Sequence, residues 1–336
     1  MKKRFCLLLI MVFFTSMFPA YAASEISGTV FFVEYDDDDH PQLFRKQDLS
    51  KKHAEDVCPA DFYLIEGFTG KVGVRAAREH IEIGETEILT VHEDGNIQTD
   101  CIIKDPNLLH VFAAHGDDYY YCRLAENKEY CCEYVRLNKN GDTFVYPHVE
   151  HQMCFCPPEW AMLNGAVSPA DNRGYTYTTS NTVSSSGRIA FSYYETILDE
   201  TKDSFAFPYI ILPDRIVIID SDGNVRDIGE GEAPAWLNDD TLLFIDKDGV
   251  LKMYSVQENT IEDYKTRKGK TITLSLLEPE TGIAVSKAGK ELVYFRMRAL
   301  YGADAYCVSL ETGKTKRYKD VIAFCIINTP RVFFGE

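Results

Sequence analysis

Past residue 22 the chain has no apolar run long enough to cross a bilayer, which excludes an ordinary helical span from the rest of the sequence. Helical signals are scarce: apolar residues seldom recur at the 3.6-residue period between capping residues. Positive charge is also short, with 35 Lys and Arg against 52 Asp and Glu and a net charge of −17. Nucleic acid and anionic lipid are poor partners for such a chain, because affinity for either rests on clustered positive charge. No G-x-S-x-G elbow, P-loop, H-E-x-x-H or G-x-G-x-x-G occurs, so the familiar nucleophile, phosphate and zinc-peptidase signatures are excluded. A site assembled from scattered Asp, His and Tyr would leave no such trace.

What is present begins with an export signal. Lys2, Lys3 and Arg4 precede an almost wholly apolar stretch from Phe5 to Phe18, and Ala20-Tyr21-Ala22 supplies small residues where a signal peptidase needs them. Residues 1–22 are therefore expected to be a cleavable signal peptide, and the mature chain to work in the periplasm or outside the cell. Cleavage removes three basic residues and leaves 32 against 52 acidic ones, a charge of about −20 on about 314 residues. That charge favours solubility first. No transmembrane segment is expected after cleavage.

Nine of the ten cysteines lie beyond the cleavage point: Cys58, Cys101, Cys122, Cys131, Cys132, Cys154, Cys156, Cys307 and Cys325. In an oxidising compartment they read as disulfides first, with one thiol left over. Cys101, Cys122, Cys131, Cys132, Cys154 and Cys156 are expected to form a local network. Cys307 and Cys325 are expected on neighbouring strands joined by the Glu311–Lys314 turn.

The rest of the chain reads as short turns followed by β-branched and aromatic runs. One turn type returns: Gly95, Gly141, Gly187, Asp240 and Gly289 each precede such a run, at intervals of 46, 46, 53 and 49. Gly28 before Thr29-Val30-Phe31-Phe32 is a possible earlier copy, and Pro330 before Arg331-Val332-Phe333-Phe334 a truncated last one. A unit of roughly 40–50 residues with about four strands is the size of a propeller blade.

Pro234-Ala235-Trp236-Leu237-Asn238-Asp239-Asp240 resembles the first part of the P-x-W-S-P-D-G-x-x-I-A-F blade motif of TolB-type, WD-like propellers. Ser184-Ser185-Ser186-Gly187-Arg188-Ile189-Ala190-Phe191 resembles its second part, and Val308-Ser309-Leu310-Glu311-Thr312-Gly313-Lys314 that family's V-x-L-x-T-G-K hairpin. The likeness is clearest over about residues 180–320. It departs at Asp240, where the motif has Gly, and at Asn238, where it has Pro. It implies an all-β propeller, residues 23–336 forming a single domain with a Cys-rich segment at about 101–160. Six blades are expected, or seven if the long interval from 28 to 95 hides one. Pairing of the two terminal strands would close the ring.

The candidate chemistry is thin. Asp36-Asp37-Asp38-Asp39-His40 offers hard oxygen ligands but reads better as a solvated turn. Asp220-Ser221-Asp222-Gly223 and Asp246-Lys247-Asp248-Gly249 resemble calcium-loop fragments, yet each follows a strand and reads as a hairpin turn. His148, His151, Cys154 and Cys156 carry metal-ligand side chains at a spacing that fits no standard zinc module, so a disulfide-laced loop is the preferred reading. No cofactor is expected. The leading expectation for function is non-catalytic: an exported propeller that binds a protein or peptide partner in the cell envelope. The alternatives are an extracytoplasmic glycan-active hydrolase or lyase with a site on one face, and a metal-handling protein using the His148–Cys156 segment.

Overall fold

The computed structural model describes residues 29–34, 42–48, 54–68, 73–80, 83–125, 132–147, 152–153, 176–198, 209–274, 283–286, 288–297, 303–322 and 333–334. Residues 1–22, Asp36–His40, Gly28 and Pro330 lie outside them. Every element among the described residues is a strand, and no helix is long and apolar enough to cross a membrane.

The strands hydrogen-bond into six sheets, taken here in chain order. The first holds β1 (Thr29–Glu34), β2 (Gln42–Asp48) and β3 (Glu55–Ala60). The second begins with β4 (Tyr63–Leu64); β5 (Glu66–Phe68) leaves it for the next sheet, and β6 (Val74–His80), β7 (Glu85–Val91) and β8 (Ile97–Ile103) complete it. The third runs through β9 (Leu108–His115), β10 (Asp118–Leu124), β11 (Cys132–Leu137) and β12 (Thr143–Val145), with β5 added parallel to β9. The fourth adds β13 (Gln152–Met153) parallel to β14 (Thr176–Val183), then β15 (Ile189–Leu198) with the side strand β16 (Tyr209–Ile211), β17 (Arg215–Ile219) and β18 (Val225–Glu230). The fifth is β19 (Glu232–Asn238), β20 (Thr241–Ile245), β21 (Leu251–Ser255) and β22 (Thr260–Asp263). The sixth is β23 (Ile283–Val285), β24 (Glu291–Met297), β25 (Ala303–Ser309) and β26 (Thr315–Ile322). The last strand, β27 (Phe333–Phe334), returns to pair with β1, Val30 opposite Phe334 and Phe31 opposite Phe333.

Burial falls from the second and third strands of a sheet to its last. The β17 run Ile216-Val217-Ile218-Ile219 and the β20 run Leu242-Leu243-Phe244-Ile245 are buried throughout, as strands covered on both faces must be. Outer strands such as β18 and β22 mix charged and apolar residues and stay largely exposed. Charge on such an edge discourages pairing with another chain. The architecture is an all-β propeller. Five apolar cores seat successive sheets on one another, typified by Phe31, Phe44 and Leu89 at the first junction, Phe112, Tyr134 and Phe191 at the third and Leu243, Tyr294 and Val308 at the last. The expectation of six blades is corrected accordingly, while the expected pairing of the two terminal strands is present in β1 and β27. The described residues support five packed units, each centred on one of these cores, and they do not carry closure.

The turn that set the repeat is one bonding pattern. Gly95, Gly141, Gly187 and Gly289 each donate N–H to the carbonyl three residues back, on His92, Asn138, Ser184 and Ser286. Gly187 does so at φ +83, a conformation open to glycine because it has no Cβ. The side chain that opens the turn often fixes it further: Asn138 Oδ1 accepts from Asn140 N at 2.9 Å and Ser184 Oγ from Arg188 N at 3.1 Å. Gly187, Asp240 and Gly289 do occupy equivalent places, joining β14 to β15, β19 to β20 and β23 to β24. Gly95 and Gly141 do not; they join the last two strands of their sheets, β7 to β8 and β11 to β12. The same turn chemistry serves both hairpins, so spacing alone could not tell one from the other. Asp220–Gly223 and Asp246–Gly249 are hairpin turns of this type as well.

The cysteines also differ from expectation. Cys58, Cys101 and Cys307 are thiols, and Cys122 Sγ donates to the His110 carbonyl at 3.6 Å. By register Cys101 faces Ile88, Cys122 faces Tyr134, and Cys132 stands opposite Leu124. Cys307 faces Val293 and Lys316, while Cys131, Cys154, Cys156 and Cys325 lie outside the described residues. Burial, with Glu291 nearby, pushes the Cys307 thiol up to about 12. Iodoacetamide at pH 8 is therefore expected to leave Cys307 unmodified in the native protein and to label it after unfolding without reductant. Labelling that appears only after reduction would restore the Cys307–Cys325 disulfide.

Candidate functional site

Inner-strand turns gather at one end of the propeller, and their polar groups tie neighbouring sheets together. In the fourth and fifth sheets, Asp239 reaches from the β19–β20 turn to the β14–β15 turn. Its Oδ1 accepts from Ser186 N and Ser185 Oγ at 2.8 Å, and its Oδ2 from the same hydroxyl at 2.9 Å. Burial alone would raise this carboxyl, but the bonds from Ser185 and Ser186 and the charge of Arg188 outweigh it and hold the group below its ordinary range. Arg188 donates to the Asp239 carbonyl at 2.6 Å and lies 3.3 Å from Asp220 and 3.6 Å from Asp240. One carboxylate and one guanidinium thus bracket three turns.

The third sheet joins the fourth through Tyr146, which is fully buried and donates its hydroxyl to the Gly187 carbonyl at 2.8 Å. Closer to the centre, Glu66 on β5 accepts from Thr182 Oγ1 at 2.7 Å and Val183 N at 2.8 Å. The second sheet joins the third through Arg75, which donates to Thr90 at 3.2 Å, to Asp100, and to the Gly116 carbonyl at 2.8 Å. His115 closes the cluster. Burial holds it down to about 4, with Arg75 adding to the effect and Val183 and Asp239 opposing it. It is neutral at pH 7 and serves there as a packed ring against Tyr120.

This end also presents carboxylates. Asp94, Asp117, Asp142 and Asp222 are exposed on the turns between these pins. Among the described residues, Lys139 meets Asp117 at 3.4 Å, Arg226 lies 3.8 Å from Asp220, and Arg188 is engaged within the bracket.

The opposite end holds one carboxyl displaced toward neutrality. Glu232 opens β19, half-buried beside Asp214, and burial followed by the Asp214 charge pushes it up to about 7. No group of three or more His, Cys, Asp or Glu side chains able to hold a metal forms among the described residues. The sequence-level metal candidates His148, His151, Cys154 and Cys156 lie outside them. Between those residues, β13 runs parallel to β14, Gln152 opposite Thr176, which places this stretch on the edge of the fourth sheet opposite β15. The parallel additions of β5 and β13, and the pins at Glu66, Arg75 and His115, were not foreseen. Glu66 and Thr182 are 116 residues apart, and neither sits in a motif.

Sheets of about four antiparallel strands, stacked through apolar cores and joined by inner turns, define the propeller class. Within it the described fold is TolB-like: the chain is similar to TolB from Acinetobacter baumannii, with a TM-score of 0.52 and 10% identity over 93% of this chain and 67% of that one. It is also similar to apo AztD from Citrobacter koseri, with a TM-score of 0.40 and 11% identity over 93% and 99% of the two chains. No family profile and no curated protein matches the sequence. At such identity the likeness establishes the fold and nothing finer.

Proposed function

We propose that this is an exported, non-catalytic propeller of one domain, residues 23–336, that binds a protein or peptide of basic character in the cell envelope. The partner docks on the turn-bearing end. The observation that carries this reading is the Asp239–Ser185–Ser186–Arg188 bracket with the exposed carboxylates around it. Loops held rigidly by a scaffold recognise partners without an ordering cost. A field of one sign speeds and selects the encounter with the opposite charge. Pairing of β27 with β1 supports a ring held shut by the two chain ends.

A capture experiment tests it. The mature chain, beginning at Ala23, is used as bait in envelope extract beside the triple variant Asp117→Lys, Asp142→Lys, Asp222→Lys. We expect the native bait to enrich a basic protein whose retention falls with rising salt, and the variant to lose it. Equal capture by both baits, or no enrichment, would end the proposal. Metal analysis of the same material decides the metal-handling alternative: stoichiometric zinc or copper lost on replacing His148 and His151 would put that reading first. N-terminal sequencing of the native protein, with Ala23 as the expected first residue, tests export.

A further inference from the structure

Positive charge is scarce in this chain, 35 Lys and Arg in 336 residues, and it is unevenly placed. Four cations, Lys265, Arg267, Lys268 and Lys270, fall within the seven residues from Tyr264 to Lys270, and no acid follows before Glu278. The structure folds this run into a hairpin between the fifth and sixth sheets. Thr266 opens its turn. Gly269 donates N–H to the Thr266 carbonyl at 2.8 Å, and Thr266 Oγ1 accepts from Lys270 N at 3.1 Å. Lys265 stands opposite Thr271. Thr266, Ile272 and Leu274 are buried, while Lys265, Arg267, Lys268 and Lys270 are all exposed.

Both neighbouring sheets hold the hairpin in place. On the fifth, the Ile272 carbonyl accepts from Leu251 N at 2.9 Å; on the sixth, Arg267 N donates to the Glu311 carbonyl at 3.1 Å. The β25–β26 turn packs against it, so that a Cβ on Gly313 would lie 3.2 Å from Thr266 Cγ2. That turn adds the exposed Lys314, and its Leu310 N–H reaches the carbonyl of the exposed Lys290 at 2.8 Å. Six cations thus share one corner. Among the described residues, only Arg267 of the six has an acidic partner, the Glu311 carboxylate. Lys290 follows the Gly289 turn, which matches those at Gly187 and Asp240. The corner therefore lies on the turn-bearing end, over the sixth sheet. The exposed carboxylates of that end, Asp94, Asp117, Asp142 and Asp222, lie over the second to fourth.

We propose that this corner binds an acidic peptide segment of a partner protein. Its main chain is fixed before binding, so docking orders side chains alone. An extended acidic segment meets several cations at once, and charges acting as a network give more than isolated surface pairs do. Opposite fields also speed and select the encounter. The surroundings favour a short peptide over other polyanions. A bilayer or a nucleic acid large enough to cover this end would also meet Asp222 and Asp240, which repel it. A membrane anchor further needs apolar side chains to bury, and none of the exposed large apolar residues belongs to these turns. The site stands apart from the acidic face to which a basic partner was assigned above and does not rest on that assignment.

Fluorescence anisotropy of a labelled hexaglutamate peptide with the full mature chain, at about 20 and about 200 mM salt, tests this. Binding is expected at the lower salt and is expected to weaken at the higher. Lys268→Glu combined with Lys270→Glu is expected to weaken it about tenfold, as the loss of cooperating exposed pairs allows. Both side chains are exposed, so the variant is expected to keep the native urea midpoint. Lys104→Glu combined with Lys139→Glu makes the same charge change at exposed sites on the second and third sheets and is expected to bind as the native protein does. No binding at low salt, or equal loss in both double variants, would overturn the proposal. Native protein held on phosphatidylglycerol vesicles and released by the first double variant would overturn it in favour of a lipid surface. Concentration-dependent self-association lost in that same variant would give the corner to a second copy instead. Hexalysine, titrated alongside, reads the acidic face separately, so the failure of one site is not the failure of the other.

Discussion

Replacing Gly67 with alanine is expected to cost more than 4 kcal/mol of folding stability, a loss reserved for backbone collisions and the worst core defects. Gly67 sits in β5 at φ +147, paired in parallel with Ala114 of β9. A Cβ built on it would lie 1.7 Å from the Ala114 carbonyl oxygen and 2.7 Å from its carbon. Those are main-chain atoms of a strand whose Ala113 and Ala114 are completely buried between two cores, so neither side can give way. The short strand must leave, and with it go the bonds from Glu66 to Thr182 and Val183 and the seat of Ile65. Gly84 provides the control. It also has positive φ, at +65, but nothing lies within 4 Å of its missing Cβ. Alanine there is expected to cost only the left-handed conformation, about 1–2 kcal/mol. Urea unfolding of the two variants separates collision from conformation. Equal losses would show that β5 is not pressed on β9 as described.

The pair of glycines also shows what can be seen in a sequence of this kind. Positive-φ turns announce themselves through Gly, Asn and Asp between apolar runs, and the blade grammar over residues 180–320 fell where the structure repeats it. Trp236 packs between the fourth and fifth sheets, and Ile189, Ala190 and Phe191 enter the cores beside it. The grammar lost its place in the N-terminal half because His92–Gly95 and Asn138–Gly141 build the same turn in a different hairpin. Gly67 gave no signal at all, since a glycine needed for close approach looks like any other until its neighbour is known. The pins are hidden for the same reason. Arg75 and Gly116 are 41 residues apart, Tyr146 and Gly187 also 41, and Ser185 and Asp239 54. Only Asp239 stood in a recognised motif, and the motif did not say that its carboxylate caps the turn of the preceding sheet. Glu232 was equally silent, because its displacement arises from burial and from Asp214, neither of which spacing reveals.

Arg75→Met is expected to destabilise the protein by about 3–5 kcal/mol, the usual result of removing one partner from a buried ion pair. The Arg75 side chain is only 6% exposed and that of Asp100 17%. Its guanidinium holds Asp100 and Thr90 within the second sheet and crosses to the third to donate to the Gly116 carbonyl at 2.8 Å. Methionine fills much of the same volume with no donor. Asp100 would keep only the Thr90 hydroxyl at 2.5 Å and Gln98 at 3.1 Å, and the Gly116 carbonyl would lose this donor. Much of the loss is therefore the cost of an uncompensated charge, which the lost attraction alone would not produce. A second substitution distinguishes the two. Adding Asp100→Leu removes the stranded carboxylate, and the double variant is expected to regain most of the deficit, because an apolar pair of similar size is often neutral where an ion pair was buried. Equilibrium unfolding of both variants at pH 7 reads the result. A single variant that loses less than about 1 kcal/mol would place Arg75 among solvent-screened surface pairs. A double variant no better than the single would mean that the cross-sheet bond to Gly116, and not the charge, holds this junction.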